Sequence, residues 1–494
     1  MTGTTTLRNL LITSISAMAL AACGGGADNV ASPGVGAFPP TAPTTPTAPT
    51  TPTTPTTGTA AADCPAGFTN VGIILNGTLR NCQLPSKIVG NVVVPARAGT
   101  IYSISGRTDV GDDRGADPNA PIAGAQQGVL TIEPGVRIFG SAGLDYINVQ
   151  RGSQIFAEGT STQPIIFTSR QNIEGTTGAD SIGQWGGLVI SGRAPIASCP
   201  AGTTPPNVNC VATFEGGVAL YGGNSPNDNS GRLRYVQIRY AGFEIQPNRE
   251  LNGLTLNGVG AGTTFEFIQV HNGSDDGIEF FGGTANMKRV VVTGADDDSV
   301  DTDEGWRGGI QYLIVRQRPN GGDRVFEQSS VGVQASLNSQ PKFANYTVIG
   351  STRTGAGDVQ LLNTGTGGRF INGIHLSTNP SVACLDIDTA STVAAAPRWD
   401  SVVFSCATAF RNDSDVDGAA AAALFNAGTN NNSAFTSSLV SRFINGPNEA
   451  ARAAADPKAI YAFFDTTNYI GAVRDANDTW WQGWTCGLAS GSSC

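Results

Sequence analysis

The stretch Asp275-Asp276-Gly277-Ile278-Glu279-Phe280-Phe281-Gly282-Gly283 returns 22 residues later as Asp297-Asp298-Ser299-Val300-Asp301-Thr302-Asp303-Glu304-Gly305. The runs just before them, Phe267-Ile268-Gln269-Val270 and Arg289-Val290-Val291-Val292, keep the same offset. A repeat of this length is one rung of a solenoid, which cannot bury its apolar residues alone and must stack on its neighbours. The offset therefore predicts parallel strands in which Ile278 lies over Val300, Glu279 over Asp301, Asp275 over Asp297 and Asp276 over Asp298. Adjacent strands lie about 4.8 Å apart, so carboxylates pile on carboxylates.

Strand alternation decides which side chains point out. If Ile278, Phe280 and Val300 face the core, Glu279 and Asp301 face outward, Asp303 follows two residues on, and Asp275, Asp276, Asp296, Asp297 and Asp298 sit at the preceding bend. Carboxylates this close repel unless something neutralises them, and hard oxygen ligands in this number suit calcium. Asp275, Asp276, Glu279, Asp297, Asp298, Asp301 and Asp303 are the candidate ligands. The alternative is a solvated acidic face balanced by Lys288, Arg289 and Arg307. The spacing fits no EF-hand loop and lacks a Gly-rich nonapeptide repeat.

The formal net charge of -10 makes nucleic acid a poor partner. Two histidines, His271 and His375, argue against imidazole-based chemistry and are expected at the surface or in turns.

The first 22 residues read as a short, weakly basic segment, an apolar run over 10–20 too short to span a bilayer, and then Leu20-Ala21-Ala22-Cys23. This pattern resembles bacterial lipoprotein precursors. The resemblance implies a diacylglycerol on the Cys23 thiol, cleavage before that residue and acylation of the new amine, with Gly24 favouring the outer membrane. An ordinary secretory signal with a chance cysteine is the other reading. Residues 23–62 form the lipidated cysteine and a linker, which from Ser32 to Thr59 is almost wholly Pro, Thr, Ala and Gly and carries no charge. Such a stretch has too little to bury and stays extended as polyproline II. The lipid is then the sole expected contact with the membrane.

Apart from Cys23, eight cysteines remain, an even set for an oxidising compartment. Eight allow 105 connectivities. Their close sequential grouping favours Cys64 with Cys82, Cys199 with Cys210, Cys384 with Cys406 and Cys486 with Cys494, and no neighbouring histidine supplies a zinc-like partner.

Alternating segments bounded by glycine corners run through the folded part, including Leu130-Thr131-Ile132-Glu133-Pro134-Gly135-Val136, Ile155-Phe156-Ala157-Glu158-Gly159-Thr160 and Trp185-Gly186-Gly187-Leu188. In these stretches, spanning 130–140, 155–169 and 185–196, the chain resembles the pectin-lyase-like right-handed β-helix surface proteins of Gram-negative bacteria. The likeness covers most of 85–485. It implies an all-β fold, a single right-handed parallel β-helix over 63–494 with a cap at each end, an opening strand at 88–94 and little settled biochemistry. Trp480, Trp481 and Trp484 are expected to plug the last rung, or alternatively to offer rings to a sugar. Residues 449–455, after Pro447, are predicted to be helical.

Two enzymatic readings start from the acidic rungs. A calcium-dependent polysaccharide lyase would use Asp276, Asp298 and Asp301 as ligands with Arg307 or Arg316 as base. A glycoside hydrolase would press Asp297, Asp298 and Asp301 into service as acid and base. No active-site motif of either kind is visible. The sequence favours a lipid-anchored protein of the outer membrane, displayed at the cell surface, that binds or presents a glycan or an envelope partner such as an outer-membrane protein. The calcium-dependent lyase or hydrolase is its rival, and an architectural or adhesive component the third reading.

Overall fold

A computed structural model describes residues 58–214, 219–246, 249–330, 336–488 and 494. The signal segment, Cys23 and the linker before residue 58 lie outside the described residues. The rest is a right-handed parallel β-helix. Each coil contributes one short strand to an eleven-stranded parallel sheet, here the short face, and one longer or divided strand to a sixteen-stranded sheet that bends around the other two sides.

The repeat reads out as predicted. Ile278–Phe281 pairs in parallel with Val300–Asp303, placing Ile278 beside Val300 and Glu279 beside Asp301, while Asn286–Thr293 pairs with the preceding Thr264–His271. The short face continues through Phe326–Gln328 and Gln360–Leu362, each strand alternating between a buried inner and an outer column. Inside, Phe343, Phe370 and Trp399 occupy one register position on three rungs, and their rings stack at 5.9 and 5.3 Å. Stacking like on like lets flat rings fill the core without gaps.

The bent sheet turns its corner through one residue per coil in the left-handed region: Tyr235, Phe267, Arg289, Tyr312, Asn345, Asn372 and Ser401, with φ between 49° and 63°. Asparagine tolerates this conformation, whereas bulky side chains pay for it, at roughly 1–2 kcal/mol each.

An antiparallel hairpin, Thr69–Ile74 with Leu79–Gln83, closes the N-terminal edge and is pinned by the Cys64–Cys82 disulfide. Ala60 and Ala61 already bond to Gly77 and Gly99, so the folded part begins slightly before residue 63. The opening segment divides at Val89, Lys87–Ile88 joining the short face and Gly90–Val94 the bent sheet. The other three predicted disulfides, Cys199–Cys210, Cys384–Cys406 and Cys486–Cys494, are also formed.

Two expectations for the C-terminal part are corrected. The last rung is plugged by the helix Gly418–Asn426, whose Phe425 stacks on Phe404 at 4.2 Å and meets Trp399 and Phe410. The tryptophans lie elsewhere, because the chain after residue 440 doubles back along the outside of the bent sheet. Trp484, 1% exposed, packs edge-on against Tyr235 and Phe267, and the Cys494 carbonyl accepts from Arg239. Outward Gln269, Gln311, Asn345 and Asn372 hold the backbone of this returning strap at Cys486, Asp465, Tyr469 and Ala455. The predicted helix at 449–455 is a single turn, Pro447–Ala450. Glu449 turns back to accept from Ser437, Ser438 and the Gly446 amide, which caps the start of that turn.

Candidate functional site

The acidic rungs are held by a relay between successive bends. Asn252 Oδ1 accepts the Asp276 amide at 3.2 Å, Asp276 Oδ1 the Asp298 amide at 2.9 Å, and Asp298 Oδ1 the Arg324 amide at 2.6 Å. A short polar side chain at each bend thus satisfies a backbone donor one rung on. Two of the predicted ligands, Asp276 and Asp298, therefore have a structural task for one oxygen, and the Asp298 side chain also shares a hydrogen bond with Glu327.

Around this relay the carboxylates converge. One oxygen from each of Asp275, Asp276 and Asp297 lies within 4.8 Å of the others, and the same holds for Asp276, Glu279 and Asp301, and for Asp297, Asp298 and Asp323. Six of the seven predicted residues join these groups. Asp303 does not; its Oδ1 accepts the Glu304 amide at 2.6 Å. Asp323 is the member that sequence reasoning missed, because the offset to the next rung lengthens from 22 to 26 residues and the repeat no longer marks it.

The face is not the open, solvated one expected from alternation alone. Asp276, Asp298 and Glu279 are buried, at 7%, 3% and 9% exposure. The loop closed by Cys199–Cys210 folds over the neighbouring outward column, where Ile196, Phe214 and Tyr221 pack on Val189 and Phe281. Tyr221 and Ser198 donate to Glu304, and Asn252 Nδ2 donates to Glu279.

Nor do the expected cations balance it. Lys288 pairs with Asp465 and Arg289 with Glu266, both at 2.6 Å on the bent sheet, and Arg307 donates to the Asn338 carbonyl. Arg324 sits closest, pairing with Asp323 and Glu327, and Arg318 pairs with Asp296. Among the described residues no lysine or arginine forms an ion pair with Asp276, Asp298 or Asp301.

Burial raises the carboxyls of Asp276, Asp298 and Asp301 well above the usual range, and neighbouring charge adds to it from Asp275, Glu327 and Asp303 respectively. Burial also pushes Asp303 up to about 6. Asp301 Oδ1 is buried without a hydrogen-bond partner. A dense set of hard oxygens, several already oriented by backbone amides, fits a calcium ion, which takes six to eight such ligands. An ion would be held by Asp276 with Asp275 and Asp297, by Asp276 with Glu279 and Asp301, or by Asp298 with Asp297 and Asp323.

The candidate bases stand apart from this cluster. Arg316 donates to the Leu488 carbonyl at 2.7 Å beneath the strap, on the other side of the coil. The histidines are not at the surface: His271 and His375 are 4% and 0% exposed, and burial pushes them down to about 3 and about 4. His271 ends the strand Thr264–His271 and bonds Thr293, and His375, in the strand Arg369–Leu376, lies between Tyr346 and the Cys384 carbonyl.

A second acidic group, also missed, lies near the C-terminal cap, where Asp386, Asp388 and Asp413 bring carboxylate oxygens within 4.8 Å. Burial and Asp388 push Asp386 up to about 7. Asp413, Asp415, Asp417 and Gly418 are spaced like the first half of an EF-hand loop, but Leu424 stands where that loop places its glutamate and the helix starts already at Gly418.

Residues 119–485 match the family model described as pectate-lyase-like beta helix domain. No curated protein and no solved structure matches the chain.

Proposed function

We propose, from the premise that this chain belongs to the pectate-lyase-like β-helix family, that it is a lipid-anchored protein of the outer-membrane surface which binds a glycan or an envelope partner without transforming it. Calcium on the acidic rungs has a structural part in this reading. The observation that carries it is the surroundings of those rungs. Asp276, Glu279 and Asp298 are buried, one oxygen each of Asp276 and Asp298 is spent on the backbone relay, and Arg307 and Arg316 are engaged at other carbonyls. A lyase needs a base poised over the sugar proton, and a hydrolase needs two carboxyls facing across an open cleft. The loop over Phe281 argues against a polymer running along this face.

The test is direct. The folded protein with calcium, given uronate and neutral polysaccharides, should yield neither unsaturated sugar ends nor new reducing ends, while a glycan array or pull-down of envelope proteins gives specific binding. Turnover that is lost in Asp298→Asn or Asp301→Asn would replace this reading with the enzymatic one. Calcium itself is checked by titration calorimetry, where native protein should bind it and the Asp298→Asn, Asp301→Asn double variant should not.

A further inference from the structure

Where the returning strap crosses the left-handed corner of the bent sheet, the two enclose a cavity of about 300 Å³. Its floor is the corner itself, Arg289 and Tyr312 at φ 59° and 63°. The strap supplies the walls, among them Tyr469 and Trp480. On the next two rungs the same corner position holds Asn345 and Asn372, the residue this backbone tolerates, and their amides merely tie the strap down.

The polar groups fall into two sets. Both arginines are paired, Arg289 with Glu266 while lying 5.0 and 5.2 Å from the Phe267 and Tyr312 ring centres and Arg474 with Asp475, whereas Asp478 forms no ion pair among the described residues and one of its carboxylate oxygens accepts the Arg474 amide at 3.0 Å. The Trp480 indole N–H is likewise spent, on the Ala472 carbonyl, which leaves the ring as a flat wall. By contrast the Tyr469 hydroxyl and the Asn468 and Thr466 side chains, all lining the cavity, have no hydrogen-bond partner among the described residues. Ring faces next to uncommitted hydroxyl and amide groups, with a carboxylate that can accept from a hydroxyl and would repel an anion, complement an uncharged ligand that is apolar on its ring faces and hydroxylated at its edge. The size lies at the low end of ligand cavities, about 300–1,000 Å³, which suits one ring rather than a chain.

We infer that this cavity is a binding site for a single ring of a neutral saccharide. The inference rests on the reading of the protein as a glycan binder and places the binding on the strap side of the coil, away from the acidic rungs. Full-length protein is screened on a glycan array, and the bound sugars are titrated by calorimetry into native protein, Asn468→Ala, Tyr469→Phe and Asp301→Asn. Asn468 is exposed and Tyr469→Phe removes only a hydroxyl, so both variants should fold, as an unchanged melting temperature would confirm. Neutral sugars should bind native protein and Asp301→Asn alike, and about tenfold or more weakly to Asn468→Ala and Tyr469→Phe. Neutral sugars held with unchanged affinity by both cavity variants would overturn the site while leaving the glycan-binding reading standing. Binding of charged glycans alone would overturn the ligand class, and no glycan bound by native protein would overturn the site and the glycan-binding reading together.

Discussion

At Asp298 one carboxylate oxygen accepts the Arg324 amide at 2.6 Å, and the side chain is 3% exposed, among other acids that raise its pKa. The two properties separate by substitution. Asp298→Asn keeps an acceptor for the amide and deletes the charge, as Asn252 does one bend earlier for Asp276. It should leave chelated protein at least as stable as native at neutral pH, yet abolish the rise in melting temperature that the proposed calcium ion would give by binding the folded state. Asp298→Ala strands a buried donor and should cost about 1–3 kcal/mol in denaturant unfolding. Equal losses in the two variants would mean that the charge, not the acceptor, holds the bend. The same carboxyls set a pH dependence. Their folded pKa values are raised, Asp303 to about 6, above an unfolded value of about 3.9, so the native state binds more protons between roughly pH 4 and 6. Stability then falls as pH rises through this window. Calorimetry in chelator should find a higher melting temperature at pH 5 than at pH 7.5, with calcium lifting the neutral end. The opposite slope in chelator would mean that these acids are solvated.

The strap is the element on which sequence and structure part most widely. Val290-Val291-Val292 and Leu313-Ile314-Val315 are unbroken apolar runs, the mark of strands covered on both sides. What covers Val291 and Ile314 from outside is Trp484, Leu488 and Val473, more than a hundred residues away in sequence, and no periodicity links them. Register across Ile278 and Val300 was legible because two rungs share a length of 22 residues. One rung later the spacing lengthens to 26, then to 34, so Asp323 and Glu327 could not be placed by offset. The corner was half legible: Asn345 and Asn372 suit a left-handed backbone, whereas Tyr235, Phe267, Arg289 and Tyr312 occupy it against their preference and only their neighbours reveal it. If the strap is part of the cooperative fold, Trp484→Ala should destabilise by about 3–5 kcal/mol, as for a core aromatic. Denaturant titration checks this, and a loss under 1 kcal/mol would make the strap a peripheral attachment instead.

At the scale of the whole molecule, a β-helix has one long axis, and what it meets depends on how it is held. Among the described residues no helix is long and apolar enough to cross a membrane, and most of the large apolar residues lie inward or under the strap. The formal charge of -10 also sets it against an anionic lipid face. In the lipid-anchored reading proposed above, retention at a membrane would fall to Cys23, and the Pro- and Thr-rich run between 32 and 59, if extended as polyproline II at about 3 Å per residue, would reach roughly 85 Å. That distance would carry both the acidic rungs and the strap cavity clear of the lipid headgroups. Cys23→Ser should therefore abolish incorporation of a labelled fatty acid and move the protein from washed membranes to the soluble fraction. The released protein should keep the melting temperature and calcium response of the anchored form, because among the described residues the first bonds to the coils are those of Ala60 to Gly77 and Ala61 to Gly99, far beyond Cys23. A Cys23→Ser variant that stays with washed membranes would show that the folded part binds the envelope itself, and the partner would then have to be sought on the coil surface and not at the end of a tether.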